Sequence, residues 1–404
     1  MRVLVVSQYF WPEEFQINGM VRSLVERVMQ VDVLTGKPNY PEGRFFDGYR
    51  AWGCQTEHWM GATVYRVPLL ARGAKNAVRL VLNYLSFVLS ALVFAPWLLR
   101  GRQYDAIFVY APSPILQVIP ALFLGWLKRC RVIVWVQDLW PQSLAATGYV
   151  RSPRILHWTE KVVRFIYRHT DLLLVQSRAF EAQVVALAPG KKIVYFPNSV
   201  DPLFCDPAEM VLPQIEQLNF GFPVMFAGNI GAGQAVETIV EAAALLQQFG
   251  EIQFVVLGLG SRHAWMLEQV RTRGLHNLHL PGRFPIQTMP GLMQKAGALL
   301  VTLADQPVFA ATIPNKIQAY MAAGRPILAC LNGEGARIVV EADAGLAIPA
   351  QDAQGLANAV LKLYWMPPDE RFRLGDNGRR YYKAHFDRDT LVDKLVGYLA
   401  GVEQ

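Results

Sequence analysis

The sequence predicts an α/β protein of two domains, each built around a doubly wound parallel sheet. Short, almost wholly apolar runs recur along the chain, as they do in strands buried on both faces. Amphipathic stretches of helical length lie between them, which is the order that a parallel sheet requires. The 404 residues also exceed what a single hydrophobic core usually holds.

The composition indicates a folded protein with anionic partners. Apolar residues make up 52% of the chain, and 39 Lys and Arg against 32 Asp and Glu leave a net charge of +7. A basic balance favours nucleotides, phospholipid surfaces or nucleic acid. Because the surplus charges are spread out and form no dense run, we do not expect nucleic acid as a partner.

The cysteines and the first residues predict a cytoplasmic location. The four cysteines show no C-x-x-C spacing, so free thiols are expected rather than disulfides or a zinc site; they are Cys54, Cys130, Cys205 and Cys330. Met1 runs directly into an apolar strand, with no signal peptide before it.

The first half of the chain predicts six strands: Val3–Val6, Val31–Leu34, Ala106–Val109, Val132–Val136, Leu172–Val175 and Ile193–Phe196. The helices predicted between them begin near Met20 and cover Ile115–Leu127, Ile155–His169 and Arg178–Leu187. The polar loop Ser7–Gly19 follows the first strand. Ligands of open α/β sheets bind beyond the carboxyl ends of strands, so Gly19 is a candidate contact. Thr35–Tyr65 is expected to be a long connection.

The segment Leu80–Leu99 is apolar and about long enough to span a bilayer. Polar residues and Pro96 interrupt it, and a core strand follows. We favour a helix of the first domain that contacts a membrane surface; a spanning helix and a fully buried helix are the alternatives. An anionic bilayer would attract the basic residues on both sides, which are Arg72, Lys75, Arg79, Arg100 and Arg102.

Asp138 lies in the turn that follows the predicted strand Val132–Val136, one residue after Gln137. This position puts a carboxylate at the carboxyl edge of the first sheet, where ligands bind. Asp138 is therefore a candidate for contact with a substrate; a helix N-cap is the alternative.

The second half begins after a proline-rich linker and repeats the pattern of the first. The predicted domains are 1–200 with a final helix of about 386–404, and 201–385. Strand Phe222–Ala227 leads into the turn G-N-I-G-A-G-Q at Gly228–Gln234. Glycines let the backbone of such a turn approach a phosphate at a helix start.

The stretch Thr312–Pro326 combines a loop, a helix start and a cation. Pro314 suits the first helical position, and Asn315 and Lys316 follow it. Free backbone N–H groups, the positive end of the helix dipole and an ammonium then converge on one point, which is typical of an anion site. The alternative is an ordinary αβ unit with a solvated lysine.

The glycine turns do not match a nicotinamide-binding pattern. That pattern needs G-x-G-x-x-G and an acidic residue at the end of the next strand. The first turn here reads G-x-x-G-x-G, and the next strand ends in Leu257-Gly258-Leu259-Gly260. A dinucleotide-dependent dehydrogenase is therefore not expected.

Several motifs together resemble the retaining glycosyltransferases of family 4: F-P-N-S-V-D, F-A-G-N-I-G-x-x-Q, L-P-G-R-F-P and Y-M-A-A-G-R-P-I. The resemblance covers essentially the whole chain and is strongest to bacterial enzymes of O-antigen, capsule and colanic-acid synthesis, including N-acetyl-L-fucosamine transferases. It implies the GT-B fold, with two Rossmann-like domains facing a cleft and the last helix packed on the first domain. It also implies a nucleotide-sugar donor on the second domain, an acceptor on the first, and neither metal nor cofactor.

The sequence departs from the family pattern at functional positions. The usual cationic pair falls on Asn229 and Gln234, and the two glutamates of E-x7-E fall on Ala311 and Ala319. Gln137 stands where a histidine often precedes Asp138. We therefore assign catalysis to Asp138 and Lys316, and donor binding to Gly19, Asn229, Gly231, Gln234, Arg283, Phe284, Asn315, Lys316 and Glu334.

These features predict a retaining, metal-independent transferase that moves a sugar from a UDP-sugar to a polyprenyl-diphosphate-linked saccharide. The loss of a sugar-contacting glutamate suggests a 6-deoxy or N-acetylated sugar, such as an L-fucosamine. The enzyme would act peripherally on the inner face of the bacterial inner membrane in O-antigen synthesis. A non-catalytic nucleotide-sugar-binding protein, or a degenerate subunit of a transferase complex, is the alternative.

Overall fold

A computed structural model describes residues 1–27, 29–73, 77–146, 152–205 and 211–402. The chain divides into two compact units. Unit 1 comprises Met1–Pro197 with Asp389–Gln404, and unit 2 comprises Asn198–Arg388. Both are α/β units around a largely parallel sheet, so the predicted fold class is confirmed.

Unit 1 contains an eight-stranded sheet, sheet 1, in the order β3-β4-β2-β1-β5-β6-β7-β8. Its strands are β1 Arg2–Val6, β2 Gln30–Thr35, β3 Gln55–Trp59, β4 Ala62–Arg66, β5 Ala106–Ala111, β6 Arg131–Val136, β7 Leu172–Val175 and β8 Ile193–Tyr195. The helices are α1 Gln16–Glu26, α2 Ala77–Leu98, α3 Val118–Lys128, α4 Gln142–Ala146, α5 Pro153–His169 and α6 Ala179–Leu187. Every strand pair is parallel except β3 with β4.

Unit 2 contains a six-stranded parallel sheet, sheet 2, in the order β11-β10-β9-β12-β13-β14. Its strands are β9 Phe222–Ala227, β10 Ile252–Leu257, β11 Leu278–Gly282, β12 Ala298–Thr302, β13 Ile327–Cys330 and β14 Gly345–Ile348. The helices are α7 Val236–Leu245, α8 His263–Arg273, α9 Met289–Gln294, α10 Pro307–Ala311, α11 Asn315–Ala323, α12 Glu334–Glu341, α13 Ala353–Trp365 and α14 Pro368–His385.

The last helix, α15 (Arg388–Ala400), packs in the core of unit 1, as predicted. Leu391 and Leu395 are buried in the same cluster as residues of β1 and α1. Asp393 also forms an ion pair with Arg27, whose Nε lies 2.5 Å from its carboxylate. The C-terminal segment therefore completes the core of unit 1 although it follows unit 2 in sequence.

The predicted connection Thr35–Tyr65 is wrong in its second part, because Gln55–Arg66 forms the antiparallel hairpin β3–β4. The sequence Gln55–Trp59 is polar, and β3 is the edge strand of its sheet. An edge strand packs only one face and needs no continuous apolar run. The pattern used to find central strands therefore missed it.

Two predicted helix starts also differ from the structure. Helix α1 begins at Gln16, with Phe15 as its N-cap, so Gly19 lies in its first turn rather than in the preceding loop. Pro314 has extended backbone dihedrals and is the N-cap of α11, not its first helical residue. Lys316 still lies in the first turn of α11.

Helix α2 connects β4 to β5 and packs against α3 and the turn before it through one narrow stripe. Asn83, Phe87, Ala91 and Ala95 recur every fourth residue and are fully buried. By length and composition the segment Val78–Leu98 of α2 could cross a membrane, since its mean hydropathy is 1.9. Only 28% of this apolar segment is buried inside the protein. The interpretation as a fully buried core helix is therefore wrong.

Candidate functional site

The switch point of each sheet marks where a ligand crevice forms. In unit 2 the chain leaves β9 toward β10 and leaves β12 toward β13, so the order reverses between the neighbours β9 and β12. In unit 1 the same reversal lies between β1 and β5. Ligands of open α/β sheets bind beyond the carboxyl ends of the strands at such points.

Lys316 reaches the turn that follows β9 at the switch point of unit 2. Its Nζ donates a hydrogen bond to Oε1 of Gln234 and lies 4.2 Å from the ring centroid of Phe226. Burial lowers the pKa of Lys316 to about 7. The structure thus joins two residues that are 82 positions apart and that the sequence analysis had assigned separately to donor binding.

The glycine at the start of this turn makes room for the lysine. Gly228 has φ +140°, and a Cβ there would lie 2.6 Å from Cε of Lys316. A Cβ on Gly258, at the end of β10, would lie 1.9 Å from the carbonyl oxygen of Gly228. The two glycine turns therefore pack backbone to backbone, which explains the glycine after β10 without a dinucleotide.

Asn229 and Gly231 form the tight part of the same turn. A Cβ on Gly231 would meet Nδ2 of Asn229 at 2.8 Å, and one on Gly260 would meet Oδ1 of Asn229 at 2.6 Å. The ring of Phe309 covers the next glycine, Gly233, where a Cβ would lie 2.9 Å away. The Asn229 amide thus lies against two glycines while the residue stays exposed, and it stands where the family places a cation.

Asn315, the first residue of α11, accepts a hydrogen bond of 2.8 Å from Nδ2 of Asn198. Oδ1 of Asn198 is buried and has no partner in the described part of the chain. In the sequence, Asn198 stands out only as part of the motif F-P-N-S-V-D at the end of the first half. The structure adds it to the surroundings of the α11 N-terminus.

Glu334 is the first residue of α12 and is held by an arginine one turn later. Nε and Nη2 of Arg337 lie 2.9 and 3.1 Å from its two carboxylate oxygens. The neighbouring Gly335 packs against Pro314 and Ile317. Glu334 therefore lies beside the first turn of α11, and the proposed ribose contact there stays a prediction.

Arg283 and Phe284 follow β11, which is an edge strand of sheet 2. One strand, β10, separates β11 from β9. Arg283 is exposed and Phe284 is half-buried. The structure thus places them along the same carboxyl edge as the Gly228–Gln234 turn, two strands away from it.

Asp138 follows β6 at the carboxyl edge of sheet 1, next to buried phenols. Burial raises its pKa to about 6. Burial first, and then the charge of Asp138, raise the pKa of Tyr110 and Tyr167. A carboxyl group with a pKa near neutrality suits proton transfer or hydrogen bonding to a hydroxyl.

In the described residues, three buried polar atoms at this end of β6 and β7 or beside Asp138 lack a partner. The hydroxyl of Tyr167, Nε2 of Gln137 and Oε1 of Gln176 are buried without a partner. Gln137 and Gln176 follow the adjacent strands β6 and β7. Because buried polar groups are almost always hydrogen-bonded, this cluster can hold a polar ligand. Gln176 was missed by the sequence analysis, which had no motif at that position.

Glu13 organises the loops at the same edge of sheet 1 and was also missed. Its carboxylate accepts hydrogen bonds from the backbone N–H groups of Phe10, Asn39 and Tyr40, at 3.2, 2.8 and 2.7 Å. Burial raises the pKa of Glu13 to about 7, although these hydrogen bonds oppose the shift. Glu13 thereby joins the loop after β1 to the loop after β2.

Two family models match the chain, one in each half. The model described as "Glycosyl transferase 4-like domain" matches residues 14–199. The model described as "Glycosyl transferases group 1" matches residues 221–365. The second range includes the turn after β9 and Lys316.

Relatives agree with the family models. The putative colanic acid biosynthesis glycosyl transferase WcaI of Escherichia coli is 24% identical over 80% of this chain and 82% of its own length. The probable glycosyltransferase WbjE of Pseudomonas aeruginosa is 23% identical over 70% of this chain and 72% of its own. An E. coli trehalose-6-phosphate structure bound with UDP-2-fluoro glucose superposes with a TM-score of 0.75, at 14% identity over 100% of both chains.

Two parallel-sheet units with this likeness define a protein of the GT-B fold. The chain belongs to the family 4 glycosyltransferases, related to the enzymes of bacterial surface polysaccharides.

Proposed function

We propose that this glycosyltransferase moves a sugar from a UDP-linked donor to a lipid-linked saccharide, with retention of the anomeric configuration. The observation that carries the proposal is the position of Lys316 over the glycine turn at the switch point of unit 2. A cation at a helix start can bind the diphosphate and stabilise its charge as the glycosidic bond breaks. The UDP-2-fluoro glucose complex of the E. coli structure supports UDP as the nucleotide.

The proposed reaction needs no metal ion, because protein groups supply the positive potential. Lys316 and the N-terminal amides of α11 face the leaving diphosphate, and Arg283 is the second cation along that edge. Asn229 and Gln234 are neutral, so they bind the diphosphate by hydrogen bonds only. Lys316 is then the principal positive charge of the protein that stabilises the departing UDP.

Asp138 is proposed to contact the acceptor hydroxyl or the donor sugar. Its raised pKa, the unpaired Nε2 of Gln137 and the unpaired Oε1 of Gln176 suit a polyhydroxyl ligand. The carboxylate that other members of the family place near the sugar is replaced by Ala311, which is buried. A donor sugar with fewer hydroxyls, 6-deoxy or N-acetylated as in L-fucosamine, fits that loss.

The relatives support the biological setting that we propose. WcaI is named for colanic acid biosynthesis, so we place this enzyme in the synthesis of a bacterial surface polysaccharide such as O-antigen. The acceptor is then a saccharide on polyprenyl diphosphate, assembled at the cytoplasmic face of the inner membrane. The enzyme would bind that face peripherally.

The exposed side of α2 supports membrane binding. Leu89, Val93 and Trp97 are 62%, 67% and 69% exposed. A contiguous apolar surface of this kind marks an interaction site. Because β4 and β5 on either side of α2 belong to one sheet, we propose that α2 lies in the interface and does not span the bilayer.

The cations around α2 contribute unequally to this proposal. Arg100 is exposed, whereas Arg102 forms an ion pair of 3.1 Å with Asp32. Arg72 stacks on Tyr40, and Lys75 lies outside the described residues. The electrostatic attraction, about 1 kcal/mol per basic residue near the surface, therefore depends more on Arg100 than the sequence indicated.

Flotation with liposomes tests the membrane part. Binding to vesicles containing anionic lipid at low salt, and its loss at high salt or on Arg100→Glu, is the expected result. A protein that stays at the bottom of the gradient at low salt would contradict membrane binding. The exposed Arg44 of unit 1 gives a matched control, Arg44→Glu.

The second candidate, a protein that binds a nucleotide sugar without turnover, is favoured by the alanines at positions 311 and 319. A thermal-shift screen with UDP-, GDP- and dTDP-sugars identifies the donor, since a ligand that binds only the folded state raises stability. Slow release of free UDP from that donor supports the transferase. Binding without any release would favour the second candidate.

A further inference from the structure

Unit 1 contains an apolar groove that the proposed reaction does not use. Helices α2, α3 and α5 lie side by side, and the groove runs between α3 and α5. Its volume of 760 Å³ is within the range of about 300–1,000 Å³ typical of ligand sites. Leu122, Phe123, Trp126 and Phe165 form its walls.

The walls of the groove are exposed to a degree that is unusual for aromatic side chains. Trp126 is 75% exposed and Phe165 is 51% exposed. Ile155 and Trp158 continue the same stripe toward the start of α5, at 53% and 66%. Burial of this apolar surface would be favourable, so the groove favours an apolar occupant.

One end of the groove is basic. Arg129 ends α3 in the left-handed conformation and is exposed; Arg131 begins β6, and His169 ends α5. Neither arginine has an ion-pair partner within the described ranges. Asp171 is the one acid among the described lining residues, and its Oδ2 already accepts the N–H of Val132 at 2.7 Å. Basic side chains at the C-terminus of a helix can be explained by their favourable interaction with the helix dipole alone. That interaction does not explain the exposed aromatic side chains beside them.

The basic end lies far from the candidate site for sugar transfer. Arg131 begins β6, whereas Asp138 follows its end. A six-residue strand is roughly 20 Å long, so a phosphate bound by Arg129 and Arg131 would hold its attached sugar away from Asp138. The occupant is therefore not the acceptor lipid but a lipid of the bilayer itself.

We propose that the groove between α3 and α5 binds one acyl chain of an anionic phospholipid, with the lipid phosphate on Arg129 and Arg131. The hydrocarbon chain lies against Phe123, Trp126 and Phe165. This inference rests on the proposed membrane association and adds a lipid site to it. The enzyme would then be held on the membrane by α2 and by one captured lipid.

The test uses liposomes containing phosphatidylglycerol with a photoreactive diazirine on its acyl chain. After flotation and irradiation, peptide mapping is expected to find labels on α3 and α5, near Trp126 and Phe165, as well as on α2. Trp126→Ala and the double variant Arg129→Asn/Arg131→Gln should each reduce the α3 and α5 labels at least tenfold while α2 stays labelled. Matched controls are Trp52→Ala and Arg44→Gln, at exposed positions of unit 1, with folding checked by circular dichroism.

The outcomes separate the two proposals. Flotation with labels on α2 alone would overturn the lipid site and leave membrane association intact. If the protein does not float, soluble dihexanoyl phosphatidylglycerol is titrated by calorimetry. Binding that Trp126→Ala and Arg129→Asn/Arg131→Gln weaken tenfold would support the groove without a bilayer; no binding, or equal binding by all variants, would overturn it.

Discussion

Lys316 should make nucleotide affinity depend on pH near neutrality. Its pKa of about 7 means that half of the molecules carry a neutral lysine at pH 7.0, and roughly 3% carry a charged one at pH 8.5. Only the ammonium attracts the diphosphate, so affinity must fall as pH rises through this interval. The expected loss between pH 7.0 and 8.5 is about 15-fold.

The assay is calorimetric titration with UDP at both pH values, in two buffers of different ionisation enthalpy. Proton uptake on binding should rise from about 0.5 to nearly 1 per UDP as the lysine becomes neutral in the free protein. Lys316→Arg is the control, because a guanidinium stays charged throughout. Any titration of UDP itself is common to both proteins and cancels in the comparison.

Equal pH dependence in the parent and in Lys316→Arg would refute the assignment of Lys316 to the diphosphate. Loss of the side chain gives an independent magnitude. Lys316→Ala should weaken UDP binding by about 1.5–3 kcal/mol, the range for hydrogen bonds to charged groups. Unchanged affinity in that variant would place the diphosphate elsewhere.

Three further predictions concern carboxylates. Asp138→Asn should lower turnover by roughly 100-fold, the scale of a positioned proton-transfer group, with UDP affinity unchanged by calorimetry; full activity would make Asp138 only a cap. Glu334→Gln should reduce the preference for UDP over dUDP, since a carboxylate accepts both ribose hydroxyls, and an unchanged preference would exclude the ribose contact. Burial raises the pKa of Glu13 from 4.5 to about 7, so the folded state holds a proton that the unfolded state releases between those values. The free energy of unfolding should therefore fall as pH rises from 5 to 7.5, and Glu13→Gln should reduce the fall in urea titrations to the part that Asp138, with its raised pKa of about 6, contributes at the acidic end; an undiminished fall in that variant would assign the Glu13 part to another group.

The central strands were predictable because a strand that is buried on both faces has a continuous run of apolar residues in its sequence. Strands β1, β5, β6 and β9 are continuous apolar runs, and the sequence located each within about two residues, the usual uncertainty of element ends. Edge strand β3 has a polar sequence and was missed. The start of α1 was misplaced because Asn18-Gly19 resembles a turn. In the structure Asn18 lies inside the helix, and its side chain accepts a hydrogen bond from the N–H of Trp11 and donates one to the carbonyl oxygen of Glu13 in the preceding loop.

The candidate site was predictable only where one continuous segment contains the residues that would bind the ligand. The first turn of α11 identified Lys316 by itself. Its contacts with Gln234 and Phe226 join segments distant in sequence, and no local pattern specifies them. The same holds for Asn198 beside Asn315, which are 117 positions apart.

The most direct test of the account is sugar transfer onto a polyprenyl-diphosphate-linked saccharide in liposomes. The UDP-sugar that gives the largest thermal shift serves as donor, with EDTA present throughout. The account predicts a glycosylated lipid by mass spectrometry, with the donor's anomeric configuration retained by NMR, and loss of product in Lys316→Ala. Inversion, or a strict requirement for a metal ion, would contradict the proposed mechanism. Binding of the donor with neither glycosylated lipid nor released UDP would contradict the proposed activity.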